Sequence, residues 1–144
     1  MTLEITCCHV PETHDPAAGV ELPVADVVAA ALDPSGAPRD GITISGGEPF
    51  YQPAGLLALV RGLRARGCRH VLCYSGYTLA ALRARSTREP AIAEVLDAID
   101  TLIDGPYVVA AAGTAGRWTG SGNQRVLGPT AMRRGRLADR GRGG

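Results

Sequence analysis

Residues 41–53, "GITISGGEPFYQP", decide the fold of this chain. The first five of them, 41–45, are short, apolar and β-branched, which is typical of a buried strand. Two glycines and a proline then break the strand. Residues 54–66, "AGLLALVRGLRAR", place leucines and a valine on one helical face and arginines on the other, and Gly67 ends this helix. The stretch therefore predicts a strand, a polar loop and an amphipathic helix in succession.

The same alternation recurs along the chain. The other predicted elements are helices at 23–33, 78–85 and 90–99 and strands at 70–75, 100–105 and 124–127. Thr78 is the expected N-cap of the middle helix, and residues 110–123 have the composition of a loop. Strands that alternate with helices indicate parallel β-α-β units with right-handed crossovers. We therefore predict an α/β domain with a parallel sheet at 1–127 and an Arg/Gly-rich flexible tail at 128–144.

Three of the predicted strands are followed by loops that combine glycine with a polar or acidic residue. These loops are "SGGEPF" (45–50), "YSGYT" (74–78) and "IDGPY" (103–107). In parallel α/β sheets, ligands bind beyond the carboxyl ends of the strands, so we expect the loops to form one pocket. Gly46 and Gly47 allow the backbone to approach a ligand closely, and Glu48 offers a carboxylate to an ammonium group. By itself, this glycine-rich motif also fits an ordinary strand-to-helix turn.

The composition excludes several classes of protein. The chain has 144 residues, of which 45% are hydrophobic, and this fits one domain with a real core. No apolar run approaches the roughly 18 residues of a membrane helix, and no secretion signal is visible. The net charge of +1 indicates no specific nucleic-acid partner. We therefore expect a cytoplasmic protein without a membrane partner, in which the cysteines are core residues or ligands rather than disulfides.

Five short motifs occur in a fixed order along the chain. They are "CHVPETHD", "SGGEPFYQP", "YSGYT", "LIDGPY" and "GSGNQRV". Together, from about residue 8 to residue 127, they resemble the radical S-adenosylmethionine activating proteins. The resemblance is greatest to the anaerobic ribonucleoside-triphosphate reductase activating proteins and weaker to pyruvate formate-lyase activating enzymes. The resemblance implies that the family is one of oxidoreductases and that the fold is a small incomplete (β/α) barrel.

The resemblance also implies cofactors and partners. In such proteins three cysteines, spaced Cys-x-x-x-Cys-x-x-Cys, hold a [4Fe–4S] cluster whose fourth iron binds S-adenosylmethionine. Reductive cleavage of S-adenosylmethionine yields a 5′-deoxyadenosyl radical that takes a hydrogen from a glycine. The implied partners are a glycyl radical enzyme, such as anaerobic ribonucleoside-triphosphate reductase, and reduced flavodoxin or a similar electron donor.

The family's site residues carry over onto matching positions of this chain. By resemblance, the amino group of the cofactor's methionine would be bound by Gly46, Gly47, Glu48 and Pro49. Ser75, Gly76 and Asp104 would line the pocket, and its far side would be closed by Asn123, Gln124 and Arg125.

The cluster motif departs from the family's pattern. Its third cysteine falls on Cys8, whereas Ile5 and Met1 stand at the positions of the other two, and Cys7 occupies a spacer position. Cys8 and Cys7 are therefore the candidate metal ligands, and two of the three expected cysteines are missing. The family's first strand precedes its first cysteine, so we also expect the sheet to lack that strand and the motif to be truncated.

Two alternatives stay open. Loss of the cluster would leave a non-catalytic module that binds S-adenosylmethionine or the partner enzyme. A zinc site is the other alternative, although the spacing of its candidate ligands matches no standard pattern. Those candidates are Cys7, Cys8, His9, His14, Cys68, His70 and Cys73. We expect instead that Cys73 lies in the core and that His70 is a polar strand end.

Overall fold

The computed structural model describes residues 17, 19–32, 34, 35, 37 and 39–133. Its helices are α1 (Val24–Ala31), α2 (Pro53–Ala65), α3 (Leu79–Ser86) and α4 (Pro90–Ala98), and its strands are β1 (Gly41–Ile44), β2 (His70–Tyr74), β3 (Thr101–Asp104) and β4 (Arg125–Leu127). Short 3-10 helices lie at Pro49–Tyr51 and Val109–Thr114. The predicted helices and strands are thus confirmed, with ends that differ by at most two residues, and residues 110–123 contain one 3-10 helix.

The four strands form one sheet in the order β1-β2-β3-β4. β1, β2 and β3 run parallel, with Ile44 opposite Cys73 and Cys73 opposite Leu102. Each parallel pair is joined through at least one helix, as a parallel connection requires. The prediction of an α/β fold is confirmed. Within the described residues the sheet is open; the incomplete barrel and the missing first strand stay predictions.

The prediction of a wholly parallel sheet is wrong for β4, which runs antiparallel to β3 and places Arg125 opposite Asp104. A parallel β4 would need residues 105–124 to cross back to the amino edge of the sheet. Instead the segment stays at the carboxyl edge, where Asn123 Nδ2 donates to Pro106 O at 2.8 Å. The chain therefore enters β4 from that edge and must run in the opposite direction.

One face of the sheet carries the core. Val71 and Cys73, which alternate with less buried neighbours along β2, and Leu102 on β3 are fully buried. Their face packs in one cluster with the apolar sides of α2, α3 and α4, including Val60, Leu82, Ile92 and Val95. The expectation that Cys73 belongs to the core is therefore confirmed. None of the described helices combines the length and apolarity needed to cross a bilayer.

The other face of the sheet is more open. It borders a cavity of about 460 Å³, whose lining includes Thr43, Leu72, His70, Thr101 and Trp118. The imidazole of His70 lies 3.2 Å from the hydroxyl of Thr101 and is exposed, which confirms that His70 is a polar strand end. The two faces therefore differ in packing, and the helices lie on the face opposite the cavity.

Two contacts fix the periphery of the core. Gly62 on α2 faces Val28 on α1, where a Cβ at Gly62 would meet a Val28 methyl at 2.8 Å. The missing side chain therefore lets the two helices approach. Near the end of the described chain, residues 129–133 form a helical turn in which Met132 is buried. Packing thus extends past residue 127, where the sequence placed the end of the domain.

Candidate functional site

Glu48 joins two of the three loops at the carboxyl edge of the sheet. It directly precedes the 3-10 helix Pro49–Tyr51, and its carboxylate accepts from Phe50 N at 3.0 Å. The same carboxylate accepts from Ser75 Oγ at 2.9 Å and from Gly76 N at 2.7 Å, both in the loop after β2. The loops after β1 and β2 therefore meet at Glu48, as the parallel arrangement of the strands predicted.

Glycines keep the approach to Glu48 open. Gly46 and Gly47 are exposed and adopt positive φ angles of 84° and 51°, and a Cβ at either would have no atom of the described residues within 4 Å. Gly76 serves a different purpose, since a Cβ there would lie 3.3 Å from Glu48 Oε2. Gly76 thus lets its own N–H reach the carboxylate, while the other two glycines leave room for a ligand.

Burial and hydrogen bonding act in opposite directions on Glu48. Burial raises its pKa above the ordinary value, and the hydrogen bonds from Gly76, Phe50 and Ser75 lower it without cancelling the rise. A carboxylate has about four acceptor positions, and the described neighbours use three. The carboxylate therefore retains the capacity to accept one more donor, and an ammonium group would make that bond a strong, charge-assisted one.

Asp104, at the end of β3, is used differently. It is 1% exposed, and its carboxylate accepts from Leu79 N, the first residue of α3, at 2.7 Å. Arg125 on β4 binds the same carboxylate with two nitrogens. This interaction raises the pKa of Arg125, first through the hydrogen bonds and then through the charge of Asp104. Asp104 therefore positions α3 and β4 at the carboxyl edge of the sheet, where the pocket and its contact with a ligand stay predictions.

The loop before β4 closes onto the loop after β3. Gln124 Nε2 donates to Gly105 O at 3.1 Å, and its Oε1 accepts from Gly120 N at 2.7 Å. Gly105 N in turn donates to Tyr77 O at 3.1 Å, which links this region to the loop after β2. Asn123, Gln124 and Arg125 thus lie at the edge where the sequence predicted them, and their side chains are bonded to the protein in this structure.

Arg85 contributes to this region and was not predicted from the sequence. It lies on α3, and its Nη2 donates to Phe50 O at 3.2 Å. Its guanidinium carbon lies 4.8 Å from the centre of the Tyr77 ring, and Glu89 forms an ion pair with it at 2.8 Å. Arg85 is one of several arginines on short helices, so nothing in its sequence neighbourhood distinguishes it.

The described cysteines do not fit a metal centre. Cys68 and Cys73 are buried, and their thiols contact the carbonyl oxygens of His70 and Tyr74. Burial, with a smaller effect from the Glu48 charge, raises the pKa of Cys73 to about 12, which disfavours the thiolate that binds iron or zinc. Among the described residues, no three His, Cys, Asp or Glu side chains are grouped to hold a metal ion. Cys7 and Cys8 lie outside the described residues.

Glu48 and its glycine-rich neighbours thus lie at the carboxyl edge of an α/β sheet, which is the edge where such sheets bind ligands. The family model of the 4Fe-4S single cluster domain matches residues 3–127. This match covers most of the sequence, so the chain belongs to that family.

Curated relatives narrow the similarity further. The chain is 34% identical over 105 residues to the anaerobic ribonucleoside-triphosphate reductase-activating protein of Salmonella typhimurium. Identity to the proteins of the same name is 34% over 92 residues in Escherichia coli K12 and 33% over 106 residues in Vibrio cholerae. The family predicted from the sequence is therefore confirmed.

Coverage limits what these relatives say about the whole protein. The three alignments cover 70%, 61% and 70% of this chain and 64%, 55% and 63% of the relatives. The chain thus spans less than two thirds of the length of the curated relatives it matches. No solved structure matches the chain.

Proposed function

We propose that this chain acts as a glycyl-radical activating protein of the anaerobic ribonucleotide reductase type and binds S-adenosylmethionine at the carboxyl edge of its sheet. One observation carries the proposal: the Glu48 carboxylate joins two loops beside Gly46 and Gly47, and the described residues use three of its roughly four acceptor positions. The relatives that bear the activating-protein name support it.

The residues at this edge would have different roles in binding S-adenosylmethionine. Glu48 accepts a hydrogen bond from the amino group of the cofactor's methionine. Gly46, Gly47 and Pro49 shape the turn that presents this carboxylate. Ser75 and Gly76 donate the hydrogen bonds that fix the position of the Glu48 carboxylate. Asp104 fixes the ends of β3 and β4, and Asn123, Gln124 and Arg125 close the far side. Bound beside a reduced iron–sulfur cluster, S-adenosylmethionine supplies the one-electron chemistry that makes a glycyl radical.

The metal ligands we propose are Cys8 and Cys7. The structure leaves Cys68 and Cys73 unsuited to a cluster, because both are buried and engaged with backbone carbonyls. Two thiolates are one fewer than the three that leave a single iron open for the cofactor. Cluster binding is thus the part of the proposed function for which this sequence provides too few cysteine ligands.

A second candidate function follows from the same motif. Ile5 and Met1 occupy two of the three cysteine positions, which favours a non-catalytic module that binds S-adenosylmethionine or the partner without a cluster. In either function we propose a glycyl radical enzyme, such as anaerobic ribonucleoside-triphosphate reductase, as the partner. For the catalytic function we add reduced flavodoxin or a similar protein as electron donor. We also propose a cytoplasmic location, which the free thiols of Cys68 and Cys73 fit.

Anaerobic reconstitution with iron and sulfide separates the two functions. The catalytic one predicts a brown protein with about four irons per chain that cleaves S-adenosylmethionine under dithionite. It also predicts that Cys8→Ala loses the iron while Cys68→Ala, in the core, does not. The non-catalytic function predicts S-adenosylmethionine binding by calorimetry without stable iron. A chain that binds neither iron nor S-adenosylmethionine would refute the catalytic function and would leave only a module that binds the partner enzyme.

A further inference from the structure

Arg85 contacts three segments that surround the candidate site. Its Nη2 donates to Phe50 O, in the turn that carries Glu48. Its guanidinium lies over the ring of Tyr77, in the loop after β2 that also binds Glu48. Its Nε donates to Glu89, just before α4, at 3.0 Å. The side chain is therefore a cross-link between the two loops that meet at Glu48.

The charge of Arg85 also acts on Glu48. The described hydrogen-bond donors to the Glu48 carboxylate are neutral groups: Phe50 N, Gly76 N and Ser75 Oγ. Arg85 adds a positive charge that lowers the pKa of Glu48 against the larger, opposite effect of burial. Among the described residues, the thiol of Cys73 is also coupled to Glu48, and this thiol is neutral at ordinary pH because burial raises its pKa to about 12.

One nitrogen of Arg85 is not accounted for by the fold. Nη1 is buried and has no hydrogen-bond partner within the described part of the chain. A buried donor without a partner destabilises the folded state. Packing against the described residues alone therefore gives an incomplete reason for a guanidinium at this position, and an electrostatic role toward Glu48 supplies another.

We propose that Arg85 is a positioning residue of the candidate site, which holds the Glu48 turn against the loop of Ser75 and Gly76 and keeps the Glu48 carboxylate ionised for an ammonium group. This inference rests on the proposed binding of S-adenosylmethionine. A carboxylate makes a charge-assisted bond to an ammonium only while it is ionised. Arg85 therefore matters most at mildly acidic pH, where Glu48 would otherwise take up a proton.

Calorimetric titration of S-adenosylmethionine into the purified chain, from about pH 5.5 to about pH 7.5, tests the inference. Arg85→Gln removes the charge, Arg85→Lys retains it, and Arg88→Gln is the matched control, since Arg88 is exposed on the turn after the same helix. We expect Arg85→Gln to weaken binding about tenfold at the acidic end and about threefold or less at the neutral end. Arg85→Lys should restore most of the affinity at the acidic end, and Arg88→Gln should match the parent.

A merely structural role for Arg85 would lower affinity by the same factor at every pH, and that result would overturn the inference. Equal affinity of Arg85→Gln and the parent at all pH values would overturn it too, while leaving the proposed binding intact. If the parent fails to bind S-adenosylmethionine at any pH, the proposed function and the inference fall together.

Circular dichroism establishes whether each variant is folded. Should Arg85→Gln fail to fold, Glu89→Gln tests the same electrostatics with the opposite sign. Removing this negative partner leaves more of the Arg85 charge to act on Glu48, so binding should persist to lower pH than in the parent. Loss of affinity at higher pH than in the parent, or an unchanged pH profile, would overturn the inference.

Discussion

Two carboxylates at opposite edges of the sheet, Asp100 and Glu48, are used in opposite ways, whereas Asp104, also at the carboxyl edge, is paired with an arginine as Asp100 is. At the amino edge, Asp100 accepts from Val71 N at 2.8 Å and pairs with Arg64 on α2. Arg64 also donates to the carbonyl oxygens of Arg69 and Ala98, at 2.7 Å and 2.8 Å. The amino edge is thus a closed network of charged and backbone groups. At the carboxyl edge, the Glu48 carboxylate accepts hydrogen bonds from three neutral donors and can accept one more.

The pKa values of the two carboxylates record this difference. Burial raises the pKa of Asp100, but the hydrogen bonds from Val71 and Arg64 outweigh it and lower the pKa overall. Burial also raises the pKa of Glu48, and its hydrogen bonds are too weak to reverse the change. A carboxylate stabilised as an ion serves the fold, whereas one left underpaired is available to a cationic ligand.

The largest expected effect lies at the closed edge. Arg64→Ala should lower the free energy of unfolding by about 3 kcal/mol, because several hydrogen bonds from one charged group are lost together. Urea denaturation measures this change. Arg61→Ala is the control on the same helix, since Arg61 forms an exposed ion pair, and its expected cost is below about 1 kcal/mol. Equal costs for the two variants would show that the Arg64 network does not hold the amino edge.

The matching change at the open edge should affect binding rather than stability. Glu48→Gln should weaken S-adenosylmethionine binding by about 1.5–3 kcal/mol, because the charge-assisted bond to the ammonium group is lost. The free energy of unfolding should change by less than about 1 kcal/mol, since the amide oxygen can still accept a hydrogen bond. Calorimetry and urea denaturation give the two quantities.

Glu94→Gln is the matched control for this change. It makes the same chemical replacement in an exposed ion pair on α4, away from the carboxyl edge. Its affinity for S-adenosylmethionine should equal that of the parent. The role given to Glu48 is wrong if Glu48→Gln binds as tightly as this control.

The two carboxylates should also respond oppositely to pH. Since the folded pKa of Asp100 is lowered, its stabilisation is present above its ordinary pKa and is lost as pH falls through the folded pKa. Since the folded pKa of Glu48 is raised, its contribution is favourable below its ordinary pKa and is lost as pH rises through the folded pKa.

Urea denaturation at about pH 4 and about pH 7 compares two variants with the parent. The effect of the substitution on the free energy of unfolding should change with pH in opposite directions for the two. Asp100→Asn should destabilise the protein most at the higher pH. Glu48→Gln should improve relative to the parent as pH rises. Each difference should stay below about 1–2 kcal/mol, because both groups are partly accessible to water. A change with pH in the same direction for both variants would contradict the difference described between Asp100 and Glu48.

The smallest expected effect concerns the open face of the sheet. The hydroxyl of Tyr74 donates to Trp118 O at 2.6 Å and holds an exposed tryptophan over the cavity. Tyr74→Phe should cost about 0.5–1 kcal/mol of unfolding free energy. Because Trp118 is the single tryptophan of the chain, its fluorescence reports the change directly and should move to longer wavelength. An unaltered emission spectrum would mean that this bond does not fix the tryptophan.

Local features of the fold could be predicted from the sequence because local physics determines them. The strand at 41–45 and the helix at 54–66 follow from β-branched residues and helical periodicity, and the Thr78 hydroxyl accepts from Ala81 N at 3.2 Å as an N-cap. The meeting of the loops after β1 and β2 could also be predicted, because the carboxyl ends of parallel strands share one edge.

Features that depend on distant partners could not be predicted. Arg85 contacts the carbonyl of Phe50, which lies 35 residues away, and no sequence pattern marks that pair. The antiparallel β4 depends on Arg125 reaching Asp104, 21 residues earlier. Charge and hydrogen-bonding capacity are visible in a sequence, but the choice of partner is made only by the folded chain.

The strand order has a consequence for how the chain folds. Each parallel strand pairs with the strand that follows it along the chain, so the sheet from β1 to β3 grows through contacts between successive β-α units. The pairs from β1 to β2 and from β2 to β3 join residues 29 positions apart, whereas those from β3 to β4 join residues 21 to 25 positions apart, so β4 closes the shortest loop of the sheet. β4 lies at the far end of this order and brings Arg125 to Asp104. Because β4 is also the last of the four strands to be synthesised, we expect the carboxyl edge of the sheet to be complete only once the chain has been made as far as residue 127.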